Sequence, residues 1–323
     1  MGGSTKQALL QALSAAEGAY ISGQQLAEAL GVSRAAVHKA AQALSAQGYA
    51  LDSAPRRGYR LAGGDPFCAE AVGPYPAPIH IYDTLQSSNL TAKQLALGGA
   101  PHGTLVLTAH QKAGRGRLGR RFESPAGKGV YLSLILRPAL SAADAQSVTI
   151  SAAVAVARAV KALCGLELGI KWVNDLYYQG RKVCGILTEA ALDMESGMLD
   201  YAVLGLGFNI TAPPDGWPAE LQDVAGALFD DAPPPGARAA LAAAFLNEFW
   251  ALYHGVPKPE YLPEYRARQA LLGQIVTVTP RNGTPRKAEA LDIDEDCRLV
   301  VRFAGEHNLV PLRGEEVHLG KYL

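Results

Sequence analysis

Cysteine is scarce in this chain and scattered. Its 323 residues contain four, at positions 68, 164, 184 and 297. They form no CxxC pair, which speaks against a zinc site or a disulfide framework and fits a reducing compartment. Net charge is missing as well, since thirty basic and thirty acidic residues cancel. Any contact with nucleic acid must therefore come from a local patch rather than from overall attraction. No run reaches the roughly 18 continuous apolar residues of a membrane span. The N-terminus is polar and Ala-rich without a signal-type apolar core, so a soluble, cytoplasmic protein is expected. Two nucleotide-binding motifs are incomplete. Gly205-x-Gly207 is not followed by a third glycine, and Gly119 is followed by Arg120-Arg121 instead of Lys and Ser or Thr. Neither a dinucleotide fingerprint nor a Walker loop is present.

What is there is enough for two or three domains with real cores: 49% apolar and 19% charged residues. Residues 1–63 read as a separate unit. Thr5 to Ala16 has Leu9, Leu10 and Leu13 on one side of a helix pattern. A second helix follows Ser22 as N-cap and stops at Gly31, and Ser33 caps a third, Arg34 to Gln47, ended by Gly48. Val32, Val37 and Leu44 would pack inward, leaving Arg34, His38 and Lys39 on the outer face. This is a helix-turn-helix. Tyr49 to Leu61 then alternates like a hairpin around Pro55-Arg56-Arg57-Gly58, the wing of a winged helix. Residues 1–63 carry six positive and three negative charges, an excess suited to phosphate contacts. Ser33, Arg34, His38, Lys39, Arg56 and Arg57 are the candidate DNA-binding residues, although His38 carries little weight alone. A helical docking module is the competing reading.

Gly63-Gly64-Asp65-Pro66 and the proline-spaced residues to Pro78 read as a linker into a second domain, 64–271. Strand and helix patterns then alternate, with strands at Ile79 to Tyr82, Thr104 to Ala109 and Val130 to Leu136, and a long helix from Ser141 to Leu163. Between the second and third strands lies Gly114-Arg115-Gly116-Arg117-Leu118-Gly119-Arg120-Arg121. Glycine permits positive φ and close backbone approach, and arginine offers a planar fork of donors for phosphate or carboxylate. The run reads either as an anion loop or as a solvated basic turn. Lys171-Trp172-Val173-Asn174-Asp175 ends another strand, where a lysine inside an apolar run needs an anionic partner. Asn174 and Asp175 also suit a plain turn. Ser87 and Ser88 could be helix caps only. Trp172 reads equally as core or as a ligand neighbour, and Cys184 as a packed thiol.

Three motifs, Gly114 to Arg120, Lys171 to Leu176 and Gly205 to Asn209, occur in an order and spacing that resembles the biotin protein ligases. With a winged helix in front, the chain is similar to the bifunctional bacterial form that is also a biotin operon repressor, and the match runs over essentially the whole length. The resemblance implies a central mixed α/β domain of the biotin/lipoate ligase type within an α+β multidomain chain. It implies an ATP-dependent enzyme with ATP and biotin as substrates and Mg2+, which forms biotinyl-5′-AMP and then biotinylates a lysine of a biotin carboxyl carrier domain. Position by position, Ser87, Ser88, Asn89, Gln111, Arg115, Gly116, Arg117 and Lys171 match biotin-holding positions. Gly114, Arg117, Arg120, Asn174, Asp175 and Asn209 fall to the adenylate, and Lys171 and Arg117 are the catalytic pair. The physics agrees, because joining two anions at phosphorus calls for fixed cations more than for a nucleophilic side chain. No protein metal site is expected. Operator DNA and a ligand-promoted homodimer complete the partners.

After two further helices, Ala237 to Tyr253 and Glu264 to Leu271, residues 272–323 turn to short strands with a turn at Arg281-Asn282-Gly283, which suggests a small SH3-like β-barrel. Two departures stand out. The family has proline where this chain has Val173, so a looser turn is expected. Its arginine near the C-terminal end is replaced by Gly320, close to Glu316, which removes a direct phosphate contact. The alternatives are a lipoate-type acyl ligase, disfavoured by the Gly-Arg loop and the winged helix, and a non-catalytic metabolite-sensing regulator, disfavoured by Lys171 and Arg117.

Overall fold

A computed structural model of the chain describes residues 5–319 except 235, 255, 257–259, 281–282 and 315–316. Most of the expected turn at Arg281-Asn282-Gly283, and both Glu316 and Gly320, lie outside the described residues. Packing divides the chain into two units, Met1–Tyr75 with Pro233–Ala243, and Pro76–Ala232 with Ala244–Leu323.

The first unit contains α1 (Thr5–Ala15), α2 (Gly23–Leu30), α3 (Arg34–Ala46), the hairpin β1 (Tyr49–Ala54) and β2 (Gly58–Gly64), and a short α4 (Ala69–Val72). Local chemistry sets its boundaries. The Ser22 hydroxyl accepts from the Gln25 amide, while Gln25 Oε1 accepts from the Ser22 amide, a reciprocal capping box. Gly31 takes the left-handed conformation at φ 64° and ends α2. Ser33 then caps α3 by accepting from the Ala36 amide at 3.1 Å. Leu9, Leu13, Leu26, Val37 and Leu44 are buried together, each worth about 1.5–3 kcal/mol of apolar burial. β2 continues through Gly63 and Gly64, where the sequence suggested linker. Gly64 pairs with Tyr49 at φ 105°, and a Cβ there would stand 2.4 Å from the Gly48 carbonyl oxygen. Only glycine lets the strands stay this close.

The second unit is built on a seven-stranded mixed sheet. Its strands are β3 (Ile79–Tyr82), β4 (Leu105–Thr108), β5 (Gly129–Leu136), β6 (Gly169–Lys171), β7 (Asp175–Tyr178), β8 (Arg181–Leu192) and β9 (Leu199–Asn209). Their order is β3-β4-β5-β9-β8-β7-β6, with β3–β4 the parallel pair and the rest antiparallel. β5 is buried along its whole length, which explains its unbroken apolar run. α5 (Ser88–Leu97) packs on β5 and β9, and α6 (Ala145–Cys164) on β8. α6 is long and apolar enough to cross a membrane by length and composition alone, but 72% of its apolar window is buried inside the structure, as in a core helix. α7 (Ala237–Tyr253) and α8 (Leu262–Ala267) follow. The C-terminal strands β10 (Ile275–Pro280), β11 (Arg286–Ile293), β12 (Leu299–Phe303), β13 (Leu309–Leu312) and β14 (Val317–Leu319) form a five-stranded antiparallel sheet ordered β13-β12-β11-β10-β14.

Candidate active site

The sheet order brings the predicted acid-binding residues together. Ser87 stands at the N-cap of α5 but makes no side-chain cap bond, and Ser88 and Asn89 fill its first turn. All three are buried. Gln111, just beyond β4, accepts from the Ser88 amide at 2.7 Å and hydroxyl at 3.1 Å, and donates to Ser124 Oγ at 2.9 Å. The Ser133 hydroxyl, from the middle of β5, lies 2.6 Å from Asn89 Oδ1 and 2.8 Å from Ser88 Oγ. Asn89 Nδ2 donates to the Glu189 carboxylate at 3.0 Å, and Glu189 lies 3.5 Å from Arg115. This buried chain fixes each polar head in one orientation. Ser87, Ser88, Asn89, Gln111, Arg115, Gly116 and Arg117 all line a cavity of about 50 Å³ beside it.

The Gly-Arg loop covers that cavity as a small hairpin. The Gly116 amide donates to the Arg120 carbonyl at 2.7 Å, the Phe122 amide donates to the Gly114 carbonyl at 2.9 Å, and Arg115 bridges Arg121. Leu118 forms the tip at φ 57° and is 58% exposed. Two glycines of β9 make room beneath. A Cβ at Gly205 would fall 1.9 Å from Asn89 Oδ1, and one at Gly207 would fall 2.4 Å from the Phe122 ring. Gly205-x-Gly207 is thus a clearance for two side chains.

Lys171 ends β6 and lines a second cavity of about 370 Å³ together with Arg117, Arg120, Asn174, Asp175 and Asn209; it does not line the smaller one. Burial holds the Lys171 ammonium below the ordinary lysine range. Asp175 works against that shift, and Lys182 and Arg120 add to it. The turn after Lys171, where valine in place of proline suggested looseness, is held on several sides. Trp172 Nε1 donates to the Cys297 carbonyl at 3.1 Å, and Tyr265 donates its hydroxyl to the Val173 carbonyl at 3.1 Å. Asn174 donates to the Ile186 carbonyl at 2.7 Å and accepts from Arg117 Nη1 at 3.1 Å, while Arg117 Nη2 donates to the Gly314 carbonyl. Trp172 is buried and tied to the turn between β11 and β12. Asn209 is only 5% exposed. Its amide nitrogen donates to the Gly226 carbonyl at 2.9 Å, and its Oδ1 is buried with no hydrogen-bond partner among the described residues. A buried acceptor on a cavity wall suits a ligand donor. Arg120 also faces an outer hollow of about 280 Å³, which Gly114 and Arg115 line with Lys112 and Arg121. Gly114 lines neither inner cavity.

Sequence reasoning missed Ser124, Ser133, Glu189, Phe122, Lys182 and Trp217, all of which take part in these cavities or the chain beneath them. The lone serine inside Val130 to Leu136 was the one legible signal. Cys184 is a fully buried thiol, pushed up by burial, as expected for a packed cysteine.

In the first unit Arg34, His38 and Lys39 are exposed on α3, and Arg56 and Arg57 in the wing turn. His38 Nδ1 lies 3.1 Å from the Tyr59 hydroxyl, and the Arg57 guanidinium stacks over Tyr20 at 4.1 Å. The Ser33 hydroxyl is engaged in the cap of α3.

Residues 82–209 match the Biotin/lipoate A/B protein ligase family, and residues 5–60 match the HTH domain. The bifunctional ligase/repressor BirA of Bacillus subtilis is 37% identical over 227 residues, covering 68% of this chain and 69% of that protein. Its Escherichia coli counterpart is 32% identical over 201 residues, 60% of this chain and 61% of that one. Among solved structures, the biotin protein ligase of Aquifex aeolicus in complex with biotin and ATP superposes with a TM-score of 0.61 at 20% identity, over 76% of this chain and 99% of that chain. An N-terminal helix-turn-helix domain, a ligase-type mixed sheet and this level of identity place the chain in the family of bifunctional biotin protein ligase/repressors.

Proposed function

We propose that this protein is an ATP-dependent biotin protein ligase. It forms biotinyl-5′-AMP and transfers biotin to a lysine of the biotin carboxyl carrier domain of acetyl-CoA carboxylase. Through its winged helix it also acts as a biotin-responsive repressor in the cytoplasm. The observation that carries the ligase reading is the pair of adjoining cavities. One is small, polar and walled by a buried hydrogen-bond chain. The other is larger and has five cationic side chains, Arg117, Arg120, Arg121, Lys171 and Lys182, against two carboxylates, Glu123 and Asp175.

Biotin sits in the smaller cavity against Ser87, Ser88, Asn89, Gln111, Arg115, Gly116 and Arg117. Its carboxylate points toward Lys171. ATP takes the larger one, with Arg117, Arg120, Asn174 and Asp175 toward the phosphates and Asn209 Oδ1 accepting from the adenine amine, while Gly114 lines only the outer hollow. The carboxylate then attacks the α-phosphorus and pyrophosphate leaves; the carrier lysine next attacks the acyl carbon and AMP leaves. The fixed cations stabilise the charge spread over the phosphoryl oxygens. Mg2+ would come with the nucleotide, and Asp175 and Glu123 are the carboxylates of the larger cavity that would meet it. The loop is loose without adenylate and ordered with it, which promotes a homodimer able to span two operator half-sites. Ser33, Arg34, His38, Lys39, Arg56 and Arg57 face the DNA. The C-terminal antiparallel sheet is read as an SH3-like barrel.

The test is incubation with ATP, magnesium and either biotin or lipoate, followed by measurement of acid-stable label on an apo carrier domain. Biotin-dependent label is expected. Label with lipoate alone would make the protein a lipoate-type ligase, and no label with either would make it a regulator without catalysis.

A further inference from the structure

The wing of the first unit is held at its root and at its tip. Ile21, between α1 and α2, bridges to β2: its amide donates to the Tyr59 carbonyl and its carbonyl accepts from the Tyr59 amide, both at 2.9 Å. Gly58 permits this approach, since a Cβ there would fall 2.0 Å from the Ile21 carbonyl oxygen. At the tip, the Arg57 amide donates to the Ala54 carbonyl at 3.2 Å. Pro55 fixes one φ of that turn and Arg56 takes a positive φ of 65° at the next position, the type II pattern. Arg57 thereby comes to rest on half-buried Tyr20, the residue before Ile21. Its guanidinium carbon lies 4.1 Å from the centre of the Tyr20 ring, and that of Arg60 lies 5.0 Å from it. The two arginines differ in what else they meet. Arg60 donates twice to Asp52, at 2.8 and 2.6 Å, so its charge is neutralised within the hairpin. Arg57 is exposed and has no carboxylate partner among the described residues. A guanidinium seated on an aromatic face is held by the ring, while N–H donors at its rim stay open to a phosphate.

We propose that Tyr20 is a positioning residue for DNA binding, whose ring seats the Arg57 guanidinium for contact with a backbone phosphate of duplex DNA. Tyr20 has this role only if the winged helix binds DNA as read above. A loose arginine on a wing samples many rotamers, and fixing it when DNA arrives costs side-chain entropy. The ring fixes it beforehand, and unlike the Asp52 carboxylate beside Arg60 it does so without neutralising the charge. Placement and charge are therefore supplied by two different residues, Tyr20 and Arg57. A salt titration separates them. The number of phosphates neutralised sets the slope of log K against log salt, whereas prior ordering of the arginine shifts the whole line.

The experiment uses the full chain and a fluorescent mixed-sequence DNA duplex, with affinity read by anisotropy over a range of salt. Arg57→Ala is expected to lower the slope by about one unit. Tyr20→Ala is expected to weaken binding about three- to tenfold at every salt concentration and to keep the wild-type slope. Tyr20→Phe, which retains the ring, is expected to bind as the wild type does. In the Arg57→Ala background, Tyr20→Ala should add less than about a twofold loss, because the ring acts through that arginine. Tyr20→Leu keeps apolar bulk without the aromatic face and carries the same expectations if the alanine variant does not fold. Wild-type affinity without the ring, a loss in Tyr20→Phe as large as in Tyr20→Ala, or an equal loss with and without Arg57 overturns the proposal. A wild-type chain with no salt-dependent binding to the duplex would instead sink the DNA-binding reading itself.

Discussion

Lys171 is legible twice, once in the sequence as a lysine in an apolar run and once in the structure as an ammonium held low by burial. The sign gives a prediction. A lysine that acts as a cation loses its function as pH rises through its own pKa, and this one lies below the ordinary value of about 10.4. The alkaline limb of kcat/KM for biotin should therefore fall below the usual lysine range, and Lys171→Arg should move that limb upward while lowering the plateau. A limb that stays put in the arginine variant would assign the ionisation to another group. Gly205 makes a second case. The methyl group of Gly205→Ala would enter the space of the Asn89 amide, so biotin affinity measured by calorimetry should drop at least about tenfold. Ser88, Asn89 and Gln111 could be nominated from motif order. Glu189 could not, and Ser133 stood out only as a lone serine in an apolar strand, because a polar residue in a strand shows its purpose only when the neighbouring strand is known.

At the scale of elements, capping chemistry made α2 and α3 readable, since Ser22, Gly31 and Ser33 act on residues within four positions. The apolar run up to Trp172 does not show where pairing begins or ends, and β6 is confined to the three residues Gly169–Lys171. α8 is tied to α6 by an ion pair between Glu264 and Arg158, and Arg268 just past its end joins the same carboxylate. Glu264 accepts from Arg158 at 2.7 Å and from Arg268 at 2.9 Å. Burial alone would raise the Glu264 carboxyl, but these two guanidinium groups outweigh it and hold it below the ordinary glutamate value. A carboxylate with a lowered folded-state pKa contributes stability above its unfolded pKa and loses it as pH falls through the folded one. Thermal melts should therefore show a loss of stability as pH falls from about 4.3. Glu264→Gln should be less stable at neutral pH and lose less on acidification. Parallel acid profiles in the two proteins would show that the pair contributes nothing.

For the whole molecule, the residues proposed to bind DNA and those proposed to carry the ligase reaction fall in different packing units, so their functions should separate under mutation. Replacing Arg56 and Arg57 with alanine should weaken operator binding and lower the salt dependence, log K against log salt, by about one unit for each phosphate the variant no longer neutralises. Biotinylation of a carrier domain should be unchanged, and an equal fall in both activities would refute the separation. Motif order and short-range chemistry were enough to recognise the helix-turn-helix, the alternating strands and the family, because caps, turns and periodicity act over a few residues. The site was assembled by long-range pairing. β5, β9 and β8 lie side by side and bring Ser133 to Asn89 and Asn89 to Glu189, while Arg117 reaches Gly314 across 197 positions. Such pairings depend on strand order and burial, quantities that no window of sequence contains, and for that reason Ser124, Glu189 and Lys182 came into view only in the folded chain.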